Sequence, residues 1–201
     1  MIPLQPTQLR QYADVVRLPA GGSMTVRFVE PGDVEALRDY FARLSTGTHY
    51  SRFLGASREL PQSEYVRMLK TGEGRHFAVV AETGTGSVRR IVGEARYVFD
   101  PAARTVEFGI SVADDRHGNG AGSALLSNLE CRAAALGADT IFGDALGTNQ
   151  QMRGLARKRG YHFSHTPGDW TLVRFSKDIR IAQDIPCIGS SRAVPLLATA
   201  G

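Results

Sequence analysis

The sequence predicts an α/β (α+β) fold, a mixed and mostly antiparallel central sheet flanked by helices. Three observations predict it. Strand-like segments at 76–81, 88–99 and 105–112 follow one another through short connections, which argues for antiparallel neighbours. Apolar residues recur at steps of three and four both before and after them. A glycine-dense loop at 118–122 then joins a strand to a helix and opens an alternating β/α section.

In order, residues 1–24 carry Pro3, Pro6, Pro19, Gly21 and Gly22 with little periodicity and read as an N-terminal arm. Residues 25–30 alternate like a half-buried strand. Pro31 opens a helix in which Val34, Leu37, Tyr40, Phe41 and Leu44 share a face. A second helix follows Pro61, with Tyr65, Val66, Met68 and Leu69. The three middle strands turn at 84–87 and 100–104. The helix after the glycine loop aligns Leu125, Leu126, Leu129, Ala133 and Leu136. A strand at 140–146, a helix at 149–159 and a hairpin of 161–165 with 170–175 complete the order β-α-α-β-β-β-α-β-α-β-β. The expected organisation is an arm at 1–24, one domain at 25–176 and a C-terminal tail at 177–201.

The 201 residues suit one compact domain, and 42% hydrophobic with 22% charged residues excludes a wholly disordered chain or a membrane protein. The net charge of +4 equals the contribution of Arg153, Arg157, Lys158 and Arg159, which lie in a stretch without acids. That cluster suits either a polyanionic ligand or a solvated helix face. Aromatic residues do not interleave with it, so nucleic acid is not an expected partner. Cys131 and Cys187 match no metal or redox spacing, and Cys131 reads as a packing residue. Residues 1–24 lack the apolar run of a signal peptide, and no membrane-length apolar stretch occurs, so the expected setting is cytoplasmic.

Glycine is the outlier, at 22 of 201 residues. Gly118, Gly120 and Gly122 clear three side chains from a helix N-terminus, where backbone N–H groups and the helix dipole favour a phosphate or pyrophosphate. A Walker loop would need Lys after the last glycine, but Ser123 and Ala124 follow. A dinucleotide fingerprint would need a third glycine at Ser123, and the preceding elements lack βαβ alternation.

The run His117-Gly118-Asn119-Gly120-Ala121-Gly122 resembles the acetyl-CoA pyrophosphate loop of GNAT acetyltransferases, usually Q/R-x-x-G-x-G/A, and the element order over about 25–176 matches that fold. His117 stands where Gln or Arg is usual, and Asn119 where a basic residue is frequent. The resemblance implies a sheet splayed at the acetyl-CoA site and assigns the pyrophosphate to residues 117–123, Ser123 included. It also implies pairing of the pantetheine arm with backbone of Ile110, Ser111 and Val112. Asn149 is placed near the pantetheine amides, with helix capping as the competing role. Arg153 and Lys158 are placed near the CoA phosphates, and no metal is required.

Acyl transfer to an amine needs a proton acceptor, because a free lysine amine titrates near about 10.4. Alternation puts Glu107, Gly109 and Ser111 on one strand face, a carboxylate followed by two small residues that would leave an open cleft. The run 106–114 resembles the protein-acetylating branch of the GNAT superfamily, whose glutamate general base corresponds to Glu107. Pairing of Glu107 with a neighbour such as Arg96 is the structural alternative. The tyrosine that protonates the leaving thiolate in many family members is replaced by Ala156, and Tyr161 reads as core.

The stretch 39–55 also resembles the bacterial protein lysine acetyltransferases and makes Tyr50, Arg52 and Phe53 candidate acceptor-side residues. The implied acceptor is a protein lysine, with an acyl-CoA synthetase as one partner of this kind. Alternatives are a small-molecule amine acceptor and a non-catalytic acyl-CoA-binding regulatory module. The chain has no room for a fused nucleotide-binding domain, so control by a cyclic nucleotide in cis is not expected. Oligomeric state is left open.

Overall fold

The computed structural model describes residues 12–18, 21–53, 60–71, 75–84, 89–180 and 193–195. The elements are β1 (Tyr12–Arg17), β2 (Ser23–Phe28), a 3-10 turn (Pro31–Asp33), α1 (Val34–Ala42), α2 (Thr46–Phe53), α3 (Gln62–Leu69), β3 (His76–Thr83), β4 (Arg90–Asp100) and β5 (Thr105–Val112). A second 3-10 turn (Asp114–Arg116), α4 (Ala121–Ala135), β6 (Thr140–Leu146), α5 (Gln150–Lys158), β7 (His162–Thr166), β8 (Asp169–Asp178) and β9 (Ala193–Pro195) follow.

All strands join one sheet in the order β7-β8-β6-β5-β4-β3-β2-β1-β9. Neighbours are antiparallel except β5 and β6. The parallel pair is reached through α4, as a parallel connection requires. Alternation along β3 shows how the sheet is covered. Phe77, Val79 and Ala81 enter a core with Leu125, Leu126 and Leu129 of α4, whereas Ala78 and Val80 enter a second core with Leu37, Tyr40, Phe41, Tyr65 and Met68 of α1 and α3. A strand covered on both faces reads as a continuous apolar run rather than an alternating one.

Two features depart from the sequence reading. Residues 12–17, assigned to the arm, form a strand that pairs with β2 across a turn where Gly21 and Gly22 take φ of 93° and 82°. That geometry is what glycine permits at a hairpin. Ala193–Pro195, assigned to the tail, pair with β1, and β8 runs past 176 to Asp178. The sheet therefore extends beyond 25–176 at both ends. The second departure is α2, which the sequence reading passes over. Its residues, TGTHYSRF, are poor helix formers. Two anchors hold it. The Ser45 hydroxyl accepts the Thr48 N–H (3.2 Å), and Asp114 accepts Ser45 N–H (2.9 Å), Ser45 Oγ–H (2.7 Å) and Thr48 Oγ1–H (2.7 Å). Burial alone would raise the Asp114 pKa, but these donors hold it below the usual range. The expected turn at 84–87 lies outside the described residues except for Gly84, as do Leu54 and Cys187.

Candidate active site

The site begins where β5 and β6 part. Their pairing covers only Thr105↔Thr140, Val106↔Ile141 and Glu107↔Phe142, although both strands continue. Ala113 N–H donates to Val92 C=O (2.8 Å), so strand alternation turns the N–H and C=O of Ile110 and Val112 away from β4 and into the gap. The backbone of Ser111 points to β4 instead. Of the three expected pantetheine-pairing residues, Ile110 and Val112 thus offer backbone to a ligand, and Ser111 does not. A cavity of about 1260 Å³ runs along this gap, lined among others by Glu107, Ile110, Val112, Gly118, Gly120 and Asn149.

The glycine loop closes one end. Gly118 and Gly120 have φ of 77° and 89°, and Gly120 caps α4 in the left-handed region where a side chain would be strained. Nothing lies within 4 Å of a Cβ built on Gly118. The first turn of the fifteen-residue α4 therefore presents N–H groups to open space, which fits a pyrophosphate. Gly122 serves packing, because a Cβ there would stand 3.3 Å from Leu155 Cδ2 on α5. Ala121 is buried, and Asn119 and Ser123 are half-buried beside it. His117 turns back from the loop: its Nε2–H donates to Val112 C=O (2.9 Å), and its Nδ1 accepts from the Gln151 amide (3.2 Å). Asn149 caps α5 by accepting Met152 N–H (2.9 Å) while lining the cavity, so both roles considered for it are open to one side chain.

Most of the basic cluster is committed elsewhere. Arg159 binds the fully buried Glu130 (2.5 Å), Arg153 donates to Gly147 C=O (2.8 Å), and Arg157 lies over the Phe163 ring. Lys158 alone of the four lines the cavity.

The other wall overturns the expected open cleft beside Glu107. A Cβ on Gly109 would lie 2.5 Å from Arg52 Nη1, so the room left by glycine is filled by that guanidinium. Arg52 is fixed by Glu94, through Nε–H to Oε1 (2.7 Å) and Nη2–H to Oε2 (3.4 Å). Glu94 has no exposed surface and also accepts from Ser111 Oγ (3.0 Å), which in turn shares a 2.9 Å hydrogen bond with Tyr40 OH. Burial would raise the Glu94 pKa, but the Arg52 and Arg96 charges outweigh it and hold the carboxyl low. The Tyr40 phenol is pushed up by burial and by Glu94. Arg96 pairs with Glu64 (2.6 Å) and stands 3.5 Å from Glu94, leaving Glu107 exposed with no hydrogen bond or ion pair among the described residues. The sequence reading missed Glu94. Its signal was a carboxylate inside the apolar run Ile91-Val92-Gly93-Glu94-Ala95.

Of the acceptor-side candidates, Tyr50 is exposed and Phe53 packs edge-on with Phe41. Ala156 is fully buried, and Tyr161 is core, edge-on to Phe108 and Phe175. Cys131 packs against the core as expected and also takes part in a disulfide. Among the described residues no group of His, Cys, Asp and Glu is arranged to hold a metal, and no helix is long and apolar enough to cross a membrane.

A sheet that opens between two parallel strands beside a helix-capping glycine loop defines a CoA-dependent acyltransferase. Comparison with known proteins gives the family: the sequence model of the acetyltransferase (GNAT) family matches residues 36–161, and the chain belongs to that family. It is 27% identical over 159 residues to an acetyltransferase of Pseudomonas aeruginosa, covering 79% of this chain and 86% of that protein. The GNAT domain of S. lividans PAT superposes with a TM-score of 0.75 at 23% identity, covering 83% of this chain and 96% of that one. The Salmonella typhimurium acetyltransferase yncA, solved with acetyl-CoA, gives 0.59 at 19% identity over 80% and 96%. The chain is an acetyl-CoA-dependent N-acetyltransferase.

Proposed function

We propose that the chain transfers acetyl from acetyl-CoA to the amine of a protein lysine, with Glu107 as general base. The observation that carries this reading is the position of Glu107, exposed and without a hydrogen bond or ion pair among the described residues, at the last paired residue before the strands part. Its cross-strand neighbours on the same face are Val98, which is 38% exposed, and the half-buried Phe142. A carboxylate between two apolar side chains suits an aliphatic stem ending in an amine, which supports lysine over a compact polar amine. The resemblance to the protein-acetylating branch points the same way, and an acyl-CoA synthetase is the kind of protein acceptor it suggests.

In this reading Glu107 takes a proton from the incoming ammonium, directly or through one water. The neutral nitrogen bonds to the thioester carbonyl carbon, the carbon–sulfur bond breaks, and the surplus proton on the new C–N nitrogen passes to water. Backbone N–H groups of Ile110 and Val112, directed into the gap, are the donors available to the carbonyl oxygen. The gap side of α5 offers no phenol, since Ala156 is buried alanine. The thiolate leaves unassisted and takes its proton from water, which its ordinary pKa of about 8.5 allows. Residues 117–123 and Asn149 hold the cosubstrate, with Gly118, Gly120 and the start of α4 as the phosphate cradle.

The test is thiol release by wild type and Glu107→Gln with a panel of acceptor proteins and a panel of small amines. The expected result is turnover with proteins only and a fall in kcat of about 10²–10⁴-fold in the variant. Turnover confined to small amines overturns the lysine assignment, and full activity in the variant removes Glu107 as base. Acetyl-CoA binding without any turnover would favour a regulatory module.

A further inference from the structure

The acceptor wall interleaves arginines and carboxylates. Arg52, Arg67 and Arg96 share two carboxylates: Glu94 binds Arg52 (2.7 Å) and stands 3.5 Å from Arg96, while Glu64 binds Arg96 (2.6 Å) and Arg67 (3.2 Å). All three arginines line the cavity, and with Glu107 on the same wall three guanidiniums face three carboxylates. Arg52 is the most constrained of them. Its side chain is 12% exposed, and Nε and Nη2 are both directed at the wholly buried Glu94. Nη1 makes no hydrogen bond among the described residues and lies against Gly109, two positions from Glu107 on the same strand face. A guanidinium fixed through its other nitrogens, with two N–H bonds unspent inside a cavity, matches an anionic oxygen.

We propose that Arg52 Nη1 is the anchor of a carboxylate-binding subsite beside the point of acyl transfer, so that a productive substrate carries a carboxylate close to the reacting atoms. This rests on the acyl-transfer reading above. The carboxylate has two possible sources: a dicarboxylic acyl group on the CoA donor, or an acid next to the amine on the acceptor. In either case Glu107 receives the amine proton while Arg52 holds the carboxylate. Gly109 is glycine because any side chain there would displace the guanidinium.

The test has three arms, each run on wild type and on Arg52→Gln/Glu94→Gln, which removes both buried charges together and leaves neither stranded. The donor arm compares dissociation constants of acetyl-CoA and succinyl-CoA. The acceptor arm compares kcat/KM for lysine peptides with Glu or Gln beside the lysine. The third arm, without CoA, compares the thermal shift caused by succinate with that caused by succinamide. The expected result is a preference of about tenfold for the carboxylate in the donor or the acceptor arm, a larger shift with succinate, and loss of both in the double variant. Preferences below twofold in the first two arms with equal shifts in the third overturn the subsite, as does a preference that survives in the variant. Failure of acetyl-CoA to bind wild type would sink the acyl-transfer reading instead, and the succinate arm would still decide the subsite. If the double variant does not fold, Arg52→Lys serves, with the same loss expected because an ammonium cannot reach Glu94 and the cavity at once.

Discussion

Replacing Glu94 by glutamine isolates one charge at the centre of the site. Glu94 has no exposed surface, accepts from Arg52 and Ser111, and lies 3.5 Å from Arg96. Glutamine keeps the shape and removes the charge, so two mostly buried guanidiniums lose their shared counter-ion. Breaking a buried pair from one side costs about 3–5 kcal/mol. That is a large part of a total stability of about 5–15 kcal/mol. At roughly 2–4 °C per kcal/mol for a chain of this size, melting should fall by about 6–20 °C. The double variant Arg52→Gln/Glu94→Gln should recover part of the loss, because only Arg96, which keeps Glu64 at 2.6 Å, is then left beside it. Chemical denaturation of wild type, both single variants and the double variant closes the cycle. The same charge sets a pH dependence. The folded pKa of Glu94 is lowered, so its contribution is complete above the unfolded value of about 4.3 and is lost as pH falls through the folded value. A single-variant loss below about 1 kcal/mol, or additive single losses, would refute the reasoning, because the pair would then not be coupled in a dry interior.

Gly118→Ala should lower stability by about 1 kcal/mol and weaken acetyl-CoA binding, since φ is 77° there, whereas Gly154→Ala in exposed α5 should add about 0.5–1 kcal/mol with binding unchanged. Denaturation midpoints and cosubstrate titration read both. His49 is buried between Phe41 and Phe53, and burial lowers its pKa. The folded state favours the neutral ring, so stability should fall as pH drops below about 6.5, and His49→Phe should remove that part of the slope in melts between pH 7.5 and 5.5. Thiol labelling of denatured protein, read by peptide mapping, should find Cys131 unreactive until reductant is added, because it is disulfide-bonded. A Cys131 that reacts without reductant would contradict its disulfide, which runs against the reducing setting expected from the sequence.

What the sequence disclosed depended on whether the signal was local. The glycine loop was legible because φ above zero at Gly118 and Gly120 is a demand made on single residues. The face taken by Glu107 was legible because alternation fixes which side of a strand a residue takes. The helix α2 was not, since its residues favour no helix and its anchor Asp114 lies 69 positions from Ser45. The same distance effect misassigned Gly109, whose neighbour Arg52 belongs to that unseen helix. The strand β1 was passed over because its reason for being a strand is the edge of β2, and its own six residues carry little pattern.

The three-residue contact between β5 and β6 also has a mechanical meaning. The sheet is two plates, β9-β1-β2-β3-β4-β5 and β6-β8-β7, joined by a seam at one end and held apart at the other by α4 and α5. A molecule laid along the exposed edge of Ile110 and Val112 stands in for the absent part of the seam, so occupancy stiffens the plates against each other. The His117 ring, tied to Val112 on one plate and to Gln151 on α5 next to the other, is a stay across the open end. The wedge is thus bridged beside Gly118 and Gly120, at the end where the loop leaves room for a phosphate.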